Sequence, residues 1–154
     1  MENAHMILGW KEWVSLPDLG LPGIKAKIDT GAATSSIHAY NIKYVVKGGQ
    51  KYVKFDIHPI QKNNKISKSC MAKLVDKRHV RSSSGDKQRR PVVITQLRMG
   101  NYEWEIQLNL TNRDSMGMRM LIGREALVGR GMVDPTHKFL HGKVNTKRLY
   151  KDYK

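Results

Sequence analysis

The residues best placed to do chemistry are a single carboxylate and its neighbours, Ile24-Lys25-Ala26-Lys27-Ile28-Asp29-Thr30-Gly31-Ala32-Ala33-Thr34-Ser35-Ser36-Ile37. Apolar Ile24, Ala26 and Ile28 alternate with Lys25 and Lys27, the period-2 pattern of a half-buried strand, so Asp29 is delivered at a strand end. Gly31 permits a turn that a side chain would crowd. Thr30 puts a hydroxyl beside the acid, able to hydrogen-bond to local backbone or across a symmetric partner. Taken alone, an Asp-Thr-Gly also suits an ordinary turn aspartate that caps its own backbone.

Other chemistries find less support. There is no H-E-x-x-H, and Cys70 is the only cysteine. Of the scattered histidines, His137 and His141 alone are spaced i, i+4, and Lys138-Phe139-Leu140 between them reads as an exposed turn or strand, so no metal site is expected. No G-x-x-x-x-G-K-[ST] is present to cradle nucleotide phosphates, and no cofactor is expected. A lone cysteine excludes an internal disulfide and fits a reducing compartment, with the cytoplasm as the default. No apolar run approaches the ~20 residues of a membrane span.

Charge sets the class of partner. With 28 Lys and Arg against 13 Asp and Glu, the 154-residue chain carries +15. That favours anionic partners: an acidic peptide or protein tail, or nucleic acid as the less favoured class. Arginines concentrate between Asp76 and Pro91, where Arg81, Arg89 and Arg90 surround Ser82-Ser83-Ser84-Gly85 and only Val80 is apolar. This reads as a mobile exposed loop or hairpin tip. Trp10, Trp13, Tyr44, Tyr52 and Tyr102 could form stacking surfaces, although strand patterns make most of them barrel wall.

The elements that position these groups are short strands. Ile7 to Leu16 is one strand-like segment closed by Pro17, and the turn-rich Pro17 to Gly23 leads into the Asp29 strand. Ala39 to Val46 and Lys51 to His58 flank Gly48-Gly49 as a hairpin, and Cys70 to Val75 is a short strand. Val92 to Met99 and Tyr102 to Leu110 flank Gly100-Asn101, with Trp104, Ile106, Leu108 and Leu110 alternating against Glu103, Glu105, Gln107 and Asn109. Met118 to Ile122 leads to Gly123-Arg124 and a short helical turn. Turns every 8–12 residues predict one all-β barrel domain over 6–136, a start (1–5) outside it and a basic C-terminal extension (137–154).

In this order of elements the chain resembles the retropepsin-like aspartic proteases, whose half-barrel pairs a D-T-G-A loop with an apolar-apolar-G-R segment entering a short helix. Gly9-Trp10-Lys11-Glu12-Trp13, Leu16-Pro17-Asp18-Leu19, Lys25 to Ala32, Arg81 to Gly85, Arg90-Pro91 and Leu121-Ile122-Gly123-Arg124 look more closely like the bacterial RimB-type family, long labelled ATP-dependent zinc proteases. The resemblance implies a closed acid-protease barrel with one short helix after Gly123-Arg124. It implies that Asp29 is the catalytic carboxylate, that Thr30 and Gly31 form its loop with Ala32 in support and Gly123 and Arg124 as a brace, and that 76–91 is a flap. Arg81, Arg89, Arg90 and Arg124 are then the candidate substrate-binding cations. Ala33 stands where viral members commonly carry an acid that pairs with the arginine, so Arg124 is expected to be free for a substrate carboxylate. Hydrolysis by such a site needs two carboxylates sharing a proton, and one D-T-G per chain implies a homodimer. Genes of this family often lie beside ATP-grasp ligases that add glutamates to a ribosomal protein, which implies an acidic, glutamylated tail as substrate.

Overall fold

A computed structural model describes residues 6–60, 63–81, 87–112 and 118–151. The strands are β1 (Met6–Leu8), β2 (Lys11–Leu16), β3 (Leu21–Ile28), β4 (Ser35–His38), β5 (Tyr40–Lys47), β6 (Gln50–Ile57), β7 (Lys68–Arg81), β8 (Lys87–Met99), β9 (Tyr102–Thr111), β10 (Met120–Ile122) and β11 (Gly131–Val133). Helices α1 (Arg124–Leu127) and α2 (Thr146–Leu149) are single turns.

Six strands close on themselves in the order β2-β3-β10-β4-β9-β8, and Ser15 opposite Arg98 returns β8 to β2. β7, β6 and β5 continue the sheet outward from β8. The barrel is the one the sequence predicts, with its helix directly after Gly123. Leu16, Leu21, Ile24, Ile37, Ile57, Leu97 and Leu108 are wholly enclosed, and each such side chain contributes about 1.5–3 kcal/mol relative to exposure. Among the described residues no helix is long and apolar enough to cross a membrane.

Several local expectations change. The first strand divides at Gly9 because β1 leaves the barrel to pair in parallel with β11, Met6 opposite Gly131. Gly9 itself has the backbone of His137 and Lys138 within 2.5–2.8 Å of where a Cβ would sit. Of the two readings of 76–91, loop or hairpin tip, the paired arms fit the hairpin: β7 runs to Arg81 and β8 starts at Lys87, paired Arg81 to Lys87 and His79 to Arg89. A backbone ladder needs no apolar side chains, so a Lys- and Arg-rich stretch forms it as readily. The tip, Ser82 to Asp86, lies outside the described residues.

The chain beyond His137 is packed on the barrel rather than extending from it. Trp10 N donates to His137 O (2.9 Å) and Phe139 N to Lys11 O (2.9 Å). The wholly buried Glu12 carboxylate accepts from Gly9 N (2.7 Å), Leu140 N (3.0 Å) and His141 N (3.1 Å). After α2, buried Tyr150 places its hydroxyl on the carbonyl of Gly23.

Candidate active site

β3 ends where its parallel pairing with β10 ends, Ile28 opposite Ile122, and the next amide still reaches across: Asp29 N donates to Ile122 O at 2.8 Å. The chain then turns sharply, with Ala32 N on Asp29 O (3.2 Å). Gly31 N donates to Asp29 Oδ1 at 3.0 Å, fixing one carboxylate oxygen. Among the described residues Oδ2 accepts no hydrogen bond. Asp29 is half-buried, whereas Thr30 and Gly31 are exposed.

The loop is held from behind by the segment that follows β10. α1 starts at Gly123 without a side-chain cap, so its first amides need acceptors. Arg124 N finds Ala32 O (2.8 Å) and Glu125 N finds Ala33 O (3.1 Å). Gly123 N donates to Oγ of buried Ser35 at 3.1 Å, and Thr34 Oγ1 donates to Glu125 Oε1 at 3.1 Å. Loop and helix start each complete the other's backbone bonding. The approach is close enough to require glycine at 123: a Cβ there would lie 2.8 Å from Thr34 C and 2.9 Å from the carbonyl oxygens of Ala32 and Ala33.

Arg124 is not free. Its Nη1 donates to the carbonyls of Thr30 (3.4 Å) and Gly31 (3.2 Å), so in place of an acid at position 33 the guanidinium takes the loop's own backbone. This side chain braces the loop, as the family resemblance implies, and it stays exposed. Ala32 is half-buried and supports the loop through its carbonyl.

The other candidate cations divide. Arg89 is exposed on β8. Arg90 is only 6% exposed and its Nη1 reaches Asn109 Oδ1 at 3.4 Å, so it is built into the barrel wall. Asn109 is buried against the alternation expected for β9 because it also accepts from Ser36 Oγ (2.9 Å). The side chain of Arg81 lies outside the described ones. His137 hydrogen-bonds Asp134 (2.8 Å) while His141 Nε2 meets Ile7 O (2.8 Å), so the i, i+4 pair serves two different partners. Among the described residues no three His, Cys, Asp or Glu side chains converge as metal ligands.

Beside α1, Trp104 donates its indole N–H to Ala126 O (2.9 Å) and carries Arg130 over its ring at 5.4 Å. Thr34, Glu105, Glu125 and Arg130 surround a polar cavity of about 490 Å³ there. A second groove of about 480 Å³ lies over Lys43, Lys54, Asp56 and Met71 on the outer strands. Asp29 lines neither.

Two contributors escaped the sequence reading. Ser35 was readable as an inward position of β4, two residues before buried Ile37. Glu12 was readable as an acid on the inward phase of β2 with Val14 and Leu16, a placement that demands several donors.

Comparison with known proteins agrees with this fold. Residues 7–144 match the family described as RimB-like, retropepsin-like aspartic endopeptidase RimB. A solved Legionella pneumophila protein of unknown function superposes with a TM-score of 0.73 at 32% identity, covering 90% of this chain and 99% of that one. Proteins named probable alpha-L-glutamate ligase from Shewanella halifaxensis (46% identical over 94% of this chain) and Desulfotalea psychrophila (43% over 97%) are also similar. The chain spans about a third of their length, 32% in both. The family match spans both the loop and its brace, and the chain belongs to the RimB-like family of retropepsin-like aspartic endopeptidases.

Proposed function

We propose that the protein is an aspartic peptidase that cleaves acidic peptide chains, with Asp29 from each of two copies forming one active site. The observation that carries this reading is the braced loop: one oxygen of Asp29 is pinned by Gly31 N–H, while the loop around it is tied to Gly123, Arg124 and Ser35. Such fixing is what a catalytic group needs, since a displacement of ~1 Å costs about 10²-fold in rate.

A single carboxylate cannot do the whole reaction. Two Asp29 side chains facing each other across a two-fold axis share one proton, because close like charges do not both ionise. The ionised member takes a proton from a water held between them, and the water oxygen bonds to the peptide carbonyl carbon. The protonated member donates to the carbonyl oxygen, giving a neutral tetrahedral diol. Proton transfer to the amide nitrogen and cleavage of the C–N bond then release an acid and an amine. Thr30 and Gly31 beside Asp29 are exposed, which suits a second copy supplying the opposite wall.

Acidic substrates are supported by the +15 charge, by exposed Arg89, and by relatives named probable alpha-L-glutamate ligase, a third of whose length is similar to this chain. The test is incubation of purified protein with an oligo-α-glutamyl peptide and with an isosteric oligoglutamine, followed by mass spectrometry. Cleavage of the first, abolished by Asp29→Asn, is expected; an intact peptide after prolonged incubation at micromolar dimer rejects the reading.

A further inference from the structure

The outward face of β2 and β3 carries a feature that peptide hydrolysis leaves unexplained. The register puts Lys11 directly opposite Lys27 and Trp13 opposite Lys25, on the side away from the core. Like charges directly opposite destabilise an antiparallel pair. The packed C-terminal segment adds Phe139, whose ring stacks on Trp13 at 6.3 Å and 27°, and Lys138, which is exposed. Trp10, 38% exposed, completes the row.

The ammonium groups sit on these rings: Lys11 Nζ is 4.5 Å from the Trp10 centroid and 5.5 Å from Phe139, and Lys25 Nζ is 5.3 Å from Trp13 and 5.8 Å from Phe139. Desolvation first, then the charges of Lys138 and Lys25, hold Lys11 below the usual lysine range. Past Trp13 the face continues into a groove of about 210 Å³ between Trp13, Arg98, His141 and Lys143. None of these cations forms an ion pair with a described carboxylate. The row therefore presents three aromatic rings among cations that rest on the rings and have no described carboxylate as partner.

We propose that this face binds a single-stranded nucleic acid, with bases stacking on Trp10, Trp13 and Phe139 and phosphates taking Lys11, Lys25, Lys27 and Lys138. An acidic peptide would satisfy the lysines and leave the rings unused; exposed bases use both. Ligand phosphates would also relieve the repulsion that Lys138 and Lys25 exert on Lys11. The surface adjoins the Asp29 loop, since Ile28 N donates to Trp10 O, yet Asp29 itself takes no part.

The test is fluorescence anisotropy of a labelled twelve-nucleotide oligoadenylate against the full chain at a series of salt concentrations, with indole fluorescence as a second readout. Binding with quenching is expected, log K falling linearly with log salt. Lys25→Gln with Lys27→Gln should reduce that slope by about 1.4, at ~0.7 per phosphate contact on a single strand. Trp10→Ala should weaken binding about tenfold and Trp10→Phe restore most of it. The same charge removal at exposed Lys47 and Lys51, on the opposite hairpin, should leave affinity within twofold. Failure to bind at low salt overturns the proposal, as does equal affinity for a duplex of the same length. So does full competition by an oligoglutamate that is insensitive to Trp10→Ala, which would make this an acidic-peptide surface.

Discussion

Replacing Gly123 by alanine tests whether loop and brace form one unit. The residue has φ −88° and ψ 171°, open to any amino acid, so backbone strain is not at issue. The difficulty is the added methyl, which would meet Thr34 C at 2.8 Å and the Ala32 and Ala33 oxygens at 2.9 Å, all backbone atoms with no rotamer to move. Relief requires pushing the 32–34 loop away from α1, which stretches the bonds from Arg124 N and Glu125 N. Overpacking of this kind costs about 1–3 kcal/mol. At ~2–4 °C per kcal/mol for a chain of this size, melting should drop by about 2–12 °C. Thermal circular dichroism reads the loss, and hydrogen exchange locates it as faster exchange at Ala32, Arg124 and Glu125. Gly48→Ala is the contrast: nothing lies within 4 Å of its added methyl, but φ +57° costs about 1–2 kcal/mol. That variant should lose stability and keep the loop amides protected. An alanine at 123 with wild-type melting and unchanged exchange at 32, 124 and 125 would refute the coupling.

Further outcomes follow from the same structure. Glu12→Ala strands three backbone N–H groups, at about 1–3 kcal/mol each if they stay buried, so denaturant unfolding should shift strongly and limited proteolysis should open the chain near 138–145; Glu12→Gln should recover part of the loss. Asp134 is held at about 2 by hydrogen bonds from Thr136 first and then His137, against an ordinary 3.8. Its folded value is the lower one, so its contribution is complete above about pH 4 and disappears as pH falls through about 2; a carboxyl titration near 3.8 by NMR would contradict this. Burial pushes the Cys70 thiol up to about 12, so a thiol reagent at pH 8 should label the native protein slowly and the urea-unfolded chain fully.

What the sequence made legible was the local chemistry. Alternation in Ile24 to Ile28 located the strand that presents Asp29, Gly48-Gly49 located a hairpin turn in which both glycines adopt positive φ (57° and 78°), and the Gly123-Arg124 step located α1. What stayed hidden depends on partners far along the chain. Arg124 pairs with carbonyls of residues 93 and 94 positions away, and no side-chain pattern marks a backbone acceptor. Arg90 reads as a loop cation because its neighbours are charged, whereas it is buried and reaches Asn109 on the adjacent strand. The C-terminal segment reads as a basic tail until Glu12, 128 positions from Leu140, is seen to hold it.

The central claim, that two Asp29 carboxylates make one site, is tested by mixing wild-type chain with Asp29→Asn chain at constant total concentration and measuring oligoglutamyl peptide cleavage after subunits exchange. With one working carboxylate required from each copy, activity should fall as the square of the wild-type fraction, to about a quarter at equal mixing. A linear fall to one half would mean that each chain works alone and would contradict the shared site.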